Sequence, residues 1–378
     1  MKLPRRSFLV SSGLLATGAL ADPLVKKRTS AREEILLPGQ PIVDAHHHLW
    51  DKRALPAIPV SESGEKPVRP DRYMLDELLA DAGSGHDLIA TVFVSSTSFF
   101  RKGGPDDLRS LGETEAINGI AAMSASGIYG DFRACAGIVG NIDLTLRARA
   151  GEVAQAHLDA AGSRFRGVRN IAGYDDDENV LPHAHGPGPG LYLRPDFRDG
   201  FRQLAPLGLS FDAWLLEPQL PDLIDLARAF PETTIVLDHL GTPVGSGRYR
   251  GRREERYPIW HANMTELAKC ANVRVKLGGM GMAITGFASF QADPRASSEQ
   301  LAREWRPYIE PTIEMFGVER CMFVSNFPGD GATASYATLW NAFKRIASGA
   351  SAAERDALFA GTAAQVYRLD LPERSSAA

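Results

Sequence analysis

A chain of 378 residues has room for one large domain or two ordinary ones, and 44% hydrophobic with 23% charged residues suits a globular protein with a sizeable core. A net charge of -4 gives no electrostatic case for a nucleic-acid or acidic-membrane partner. The three cysteines (Cys135, Cys270 and Cys321) are odd in number and far apart, which argues against a disulfide framework and for small core residues.

The N-terminus opens with Lys2, Arg5 and Arg6, followed by an apolar, small-residue run from Phe8 and a cleavage-type Ala19-Leu20-Ala21. Residues 1–21 are therefore read as an export leader. The run is shorter than the ~20 apolar residues that span a bilayer, so no stable membrane anchor is expected. The pair in Arg5-Arg6-Ser7-Phe8-Leu9 resembles a twin-arginine signal. The expected partner is the twin-arginine export machinery, and the expected location is periplasmic or otherwise exported. Residues 22–40 form a charged spacer and 370–378 a flexible tail.

Between them, residues 41–369 alternate short apolar runs with helical periodicity. Strands are expected at 42–49, 88–95, 134–141, 165–170, 209–215, 234–240, 273–277 and 321–325. Helices are expected at 71–82, 113–125, 144–161, 219–230, 257–271, 298–316, 335–346 and 353–369. Eight strands alternating with helices predict an α/β fold, a single-domain (β/α)₈ TIM barrel. The long connections (50–70, 96–112, 171–193, 241–256 and 278–297) all follow strands, as loops at the C-terminal mouth do. Returns from helix to strand, such as 83–87 and 231–233, are short. The loop at 172–193 is acidic and Pro/Gly-rich, and its His183 and His185 are read as solvated.

Three strand ends carry chemistry. In Pro41-Ile42-Val43-Asp44-Ala45-His46-His47-His48-Leu49-Trp50, side chains two apart share a face roughly 6.5–7 Å apart, so His46 and His48 converge and His47 turns away. Two imidazoles on one face suit a divalent metal or a substrate oxygen. In the run 234–243, His239 arrives at a strand end and Gly241 lets the chain turn. In the run 321–330, Asn326 ends the eighth strand and Asp330 follows on the loop. Asn can donate to an oxyanion, whereas Asp can also accept a proton.

Together, Asp44-Ala-His-His-His-Leu-Trp-Asp51, Leu237-Asp-His-Leu-Gly-Thr-Pro243 and Phe323-Val-Ser-Asn-Phe-Pro328 resemble the amidohydrolase-related TIM-barrel hydrolases, the metal-dependent family whose lactonase-like branch acts on sugar lactones and pyrone dicarboxylates. Gly112-Glu-Thr-Glu115, Phe165-Arg-Gly-Val-Arg169, Phe211-Asp-Ala-Trp214 with Gln219, and the run 358–369 extend the resemblance across residues 41–369. It implies that His46, His48 and His239 polarise a carbonyl, directly or through one divalent metal, Zn²⁺ by preference. Arg169 then binds an anionic or hydroxyl-rich substrate, with Trp214, Asn326 and Glu113 beside it. Glu113 serves a helix start equally well. Trp50 and Tyr174 are further candidates for apolar walls, and Arg248, Arg250, Arg252, Arg253 and Arg256 form either a steering stripe or a set of local ion pairs.

The chain departs from the family pattern in two places. Asn326 stands where many relatives have an aspartate, which leaves Asp330, a metal-bound hydroxide, or no base at all. Strand five brings Asp212 and Trp214 but no histidine, so a binuclear site is not expected. The expected activity is the opening of a lactone or similar cyclic ester, the partner a small-molecule substrate. The alternatives are an amidase, a nonoxidative decarboxylase, or a periplasmic ligand-binding barrel without catalysis.

Overall fold

The structure, a computed structural model, describes residues 33–53, 70–181 and 187–371. The leader at 1–21, most of the spacer, the tail beyond 371 and the loop histidines 183 and 185 lie outside the described residues. Among the described residues, no helix is long and apolar enough to cross a membrane.

One sheet holds eight parallel strands in chain order: β1 (Pro41–His47), β2 (Asp87–Val94), β3 (Arg133–Asn141), β4 (Phe165–Ile171), β5 (Ser210–Trp214), β6 (Ile235–Leu237), β7 (Val273–Leu277) and β8 (Cys321–Phe323). Each is followed by a helix: α1 (Leu75–Ala82), α2 (Leu111–Ala125), α3 (Arg149–Ala161), α4 (Pro195–Phe201), α5 (Leu220–Ala229), α6 (Arg253–Ala268), α7 (Ser298–Phe316) and α8 (Tyr336–Ile346). The first strand meets the exit of the last through a parallel bridge between His47 and Phe327. Asn326 N donates to His46 O at 2.9 Å and His48 N to Phe327 O at 2.7 Å. This is the expected (β/α)₈ barrel.

All eight expected strands are present, but β6 and β8 stop early. After β6 the chain enters a tight turn in which His239 (φ 57°) and Leu240 (φ 54°) are left-handed, and Asn326 (φ 52°) does the same after β8. Non-glycine residues in this region are strained and persist where the surroundings hold them. Here Trp260 Nε1 donates to Leu240 O at 2.9 Å, and Gly241 (φ 72°) supplies the turn. Helix α4 is an addition to the sequence reading. At seven residues it is too short to show a period, yet Pro195 starts it and Phe197 and Phe201 bury its inner face. The expected helix at 353–369 is interrupted by a π-turn at Ala357–Gly361.

Strand alternation separates two cores. On β5, Phe211 and Ala213 pack outward among the helices, and on β7 so do Val273, Val275 and Leu277. The barrel interior holds Val43, Ala45, Val92, Val94, Val139, Val236, Met322 and Val324, and the C-terminal segment adds Ala363 and Tyr367 to it. That alternation sends Asp212 and Lys276 inward, where both are fully buried. On β1 the register shifts between Asp44 and His47, which changes the phase of the alternation just before the histidines.

Asp44 fastens the closure of the barrel. Its buried carboxylate accepts from Ser325 N at 2.9 Å, from Ser325 Oγ and from Tyr336 OH at 3.0 Å. Burial pushes its pKa up to about 6, although these donors oppose the rise. Replacing Asp44 with Ala leaves several buried donors unpaired, and the expected loss of unfolding free energy is about 3–5 kcal/mol; Ser325→Ala, which leaves the backbone and tyrosine bonds in place, should cost about 1–2 kcal/mol. Urea unfolding of the two variants measures the difference, and equal losses would contradict the clamp.

Candidate active site at the barrel mouth

A cavity of about 410 Å³ opens at the C-terminal ends of the strands, lined by His48, Trp50, Arg169, Trp214, His239 and Asn326 among others. The strand ends thus gather six of the sequence candidates on one surface. His46 lies behind them, with its ring centroid 5.0 Å from His48 and 4.5 Å from His239. His47 faces the other way, packed on Phe93 with Nε2 3.8 Å from Cys135 Sγ.

The histidines are desolvated bases. Burial and the neighbouring Arg169 hold His48 well below the usual imidazole pKa, burial and Lys276 do the same to His46, and burial lowers His239 to about 4. His48 Nδ1 pairs with the carbonyl of Val94 at 2.8 Å, so Nδ1 carries the proton and the lone pair sits on Nε2, at the cavity. Trp50 stacks on His48 at 6.0 Å and is itself fixed by Nε1 donating to Pro70 O. His239 is seated against Gly279, where a Cβ would come within 2.1 Å of Nδ1, so only glycine leaves room for the ring.

Beneath the histidines lies a charged centre that the sequence reading missed. Lys276 Nζ contacts the Asp212 carboxylate, stands 3.1 Å from Asp238 Oδ1 and lies 3.0 Å from His46 Nδ1. Tyr367 OH donates to Asp212 at 2.8 Å from the C-terminal segment. Burial raises the pKa of Asp212, whereas at Asp238 the opposing charge of Lys276 and the contact with His46 outweigh burial and keep the carboxylate ionised. The available signal was a lysine at an inward position of an otherwise apolar barrel strand, and an aspartate directly before His239.

The remaining candidates divide into those that face the cavity and those that hold them. Arg169 faces it while donating to Ser95 O, with Asp238 3.8 Å away. Trp214 forms a wall, backed by Gly173. Glu113 is buried in the first turn of α2 and does not line the cavity. Its carboxylate accepts from Ser95 Oγ, from Ser96 N at 3.1 Å and from Ser98 N at 2.9 Å, which fixes the loop after β2. Asp330, the expected base, is likewise fully buried behind the cavity wall. Its oxygens accept from Gly281 N at 2.9 Å and Asn326 Nδ2 at 2.7 Å, so it orients Asn326 and does not meet a substrate water. Tyr174 is turned toward Asp176. Four of the five loop arginines are engaged by the protein itself: Arg248 with Asp175, Arg252 with Glu255, Arg256 with Glu217, and Arg253 with Tyr308 and Thr285 O.

His46, Asp238 and His239 offer metal-ligating atoms within 4.8 Å of one another, a candidate cation site that differs from the expected trio by replacing His48 with Asp238. The donors are already served by a cation. A divalent ion bonded to both His46 Nδ1 and Asp238 would lie no more than about 4 Å from the Lys276 ammonium, given ordinary ligand distances. Repulsion there is on the order of 8 kcal/mol at an effective dielectric of about 20. A metal on His46 Nε2 needs a proton on Nδ1, the atom that Lys276 approaches as a donor. This donor set does not fit a resident divalent ion at His46.

The family described as Amidohydrolase matches residues 43–369. An uncharacterized protein of Sinorhizobium fredii is 32% identical over 339 residues, 87% of this chain and 98% of that protein. An L-fucono-1,5-lactonase of Burkholderia multivorans is 29% identical over 332 residues, covering 87% of this chain and 97% of that enzyme. A solved amidohydrolase structure from Burkholderia multivorans with bound zinc superposes with a TM-score of 0.65 and 26% identity, covering 87% of this chain and 99% of that one.

The geometry assigns Asp330 to holding Asn326, so Asp330→Asn should lower stability by about 1–3 kcal/mol through its lost charged acceptor. The acid limb of the rate profile should stay where it is in the unmodified enzyme. Denaturant unfolding and kcat/KM against pH measure both; an acid limb that disappears in the variant would restore Asp330 as the base.

Proposed function

The chain belongs to the amidohydrolase family, and from that premise we propose that it hydrolyses a lactone or similar cyclic ester bearing hydroxyl or carboxylate groups. The observation that carries this reading is a neutral His48 with its Nε2 lone pair at a cavity that also presents Arg169, His239 and Asn326. The likeness to the fuconolactonase over nearly the whole length of both chains supports the substrate class.

In this mechanism the substrate ring lies between Trp50 and Trp214, and Arg169 and Lys52 meet its anionic or hydroxyl groups. A water next to His48 gives its proton to Nε2 as the water oxygen attacks the carbonyl carbon. The oxyanion that forms is met by the positive charge of Arg169 and by Asn326, which has a second amide hydrogen besides the one given to Asp330. Collapse of the intermediate breaks the bond to the ring oxygen, and His48 returns its proton to that oxygen. The product is an open hydroxy acid. No step passes through a metal ion. The leader reading of residues 1–21 makes export to the periplasm part of the same proposal.

A lactone panel followed by proton release should show turnover, and His48→Ala should lose about 10²–10⁴-fold in kcat. Turnover that survives in His48→Ala would remove the base. Carbon dioxide from aromatic acids, or ammonia from amides, in place of acid from lactones would replace the reaction class. Because His48 is protonated only well below its ordinary 6.5, kcat/KM should stay flat as pH falls through 6.5 and decline only at lower pH. An inflection at 6.5 would show that the base is not a desolvated histidine.

A further inference from the structure

We propose that Lys276 is a positioning residue that fixes His46 in one tautomer, with its proton on Nε2, so that His46 is a hydrogen-bond donor directly behind the cavity residues His48 and His239. The role in turnover rests on the hydrolase reading above; the tautomer itself does not.

A lysine ammonium has three N–H groups and no acceptor. Lys276 Nζ has three polar neighbours within reach: Asp212 Oδ2, Asp238 Oδ1 at 3.1 Å and His46 Nδ1 at 3.0 Å. The first takes a hydrogen bond, and the second, out of line for one, holds the ammonium by charge. The third is satisfied only if His46 Nδ1 has its lone pair, because a proton there would face an N–H across 3.0 Å. Asp238, 3.2 Å from the same nitrogen, is the one competing acceptor. Neither of its oxygens makes an aligned hydrogen bond, so it holds Lys276 and Arg169 by charge and leaves Nδ1 to the lysine.

The proton of a neutral His46 is then on Nε2, the opposite edge of the ring. That atom is buried and has no hydrogen-bond partner. It belongs to a ring in contact distance of His48 and His239, both of which line the cavity. A buried N–H without an acceptor is costly, and a substrate carbonyl oxygen, more strongly still an oxyanion, supplies the acceptor. Doubly protonated His46 is opposed by burial and by the adjacent Lys276 charge. Lys276 is itself held from below: Asp212 takes a second bond from Tyr367 OH at 2.8 Å, and the Tyr367 ring lies 5.5 Å from Nζ. The same arrangement closes Nε2 to a metal, which needs a lone pair there.

Long-range ¹H–¹⁵N spectra of the full chain with ¹⁵N-histidine, assigned with a His46→Gln variant, read the tautomer without substrate. The expected result is a protonated-type Nε2 and an unprotonated-type Nδ1 for His46, unchanged by equimolar Zn²⁺. A protonated Nδ1, or an Nε2 signal moved by zinc, would overturn the proposal. Lys276→Met should shift the His46 proton to Nδ1, where Asp238 becomes its acceptor, and lower kcat about 100-fold or more with KM changed by less than about threefold. A variant that keeps the Nε2–H form would reduce Lys276 to a structural ion pair. Should Lys276→Met fail to fold, Lys276→Met with Asp212→Asn restores the charge balance and carries the same test. If no lactone is turned over, the spectra still decide the tautomer, so the two readings fail separately.

Discussion

The contact on which the site depends is the ammonium of Lys276 between the carboxylates of Asp212 and Asp238, at the centre of the barrel. Three charges withdrawn from water are unfavourable singly and tolerable only together, since each loses its hydration and recovers much of it from the others. Removing Lys276 leaves two buried carboxylates without their shared cation, and removing either carboxylate leaves the ammonium with one partner. The group therefore fixes relative positions: β5 supplies Asp212, the turn after β6 supplies Asp238, and β7 supplies Lys276. The neighbours fall into place from it. Asp238 attracts Arg169, Lys276 holds His46, and Asp212 anchors the tyrosine that caps the barrel from the C-terminal segment.

Seen along the axis of the barrel, polarity rises in steps. Aliphatic side chains of the inner cluster and Tyr367 exclude water from the interior. The charged centre follows, and then the histidines, which are buried yet uncharged. Only at the last level, with His48, Arg169, His239 and Asn326, does the wall meet solvent. This ordering is what makes imidazoles usable as bases and donors: the dry surroundings keep them neutral, and neighbouring fixed dipoles choose which nitrogen bears the proton. Preorganised donors of this kind need no rearrangement when charge develops on a substrate oxygen.

The sequence made the barrel legible because its strands and helices differ in period and its long loops fall on one side of the strands. It made the histidines legible because they stand at strand ends in short polar runs. Lys276 was hidden for the opposite reason. In Val273-Arg-Val-Lys-Leu277 the residues alternate as an ordinary strand does, and a lysine in such a run reads as solvent-facing until the closure of the sheet turns that face inward. Its partners are 64 and 38 residues away in sequence, beyond any local pattern. Helix α4 escaped because seven residues span barely two turns. Asp330 illustrates a different limit: the sequence placed it near the mouth, as the structure does, but whether a carboxylate meets water or only amides depends on packing that spacing does not encode.

Asn326 then looks less like a lost acid than like a requirement of its neighbour. Its amide nitrogen lies 2.7 Å from Asp330 Oδ1, and the other oxygen of Asp330 is occupied by the Gly281 amide. An aspartate at 326 would put two carboxylates at hydrogen-bond distance in a buried wall, where one of them must take up a proton to remain. With asparagine the contact is attractive and the side chain retains an N–H for the cavity. The backbone reinforces the choice, since Asn326 is left-handed and its own amide is spent on His46 O, tying its position to the strand that carries the histidines. Acidity at this mouth lies behind the cavity surface in Asp330, Asp212 and Asp238, where it orients donors, and in the proposed reaction the proton-accepting role passes to His48.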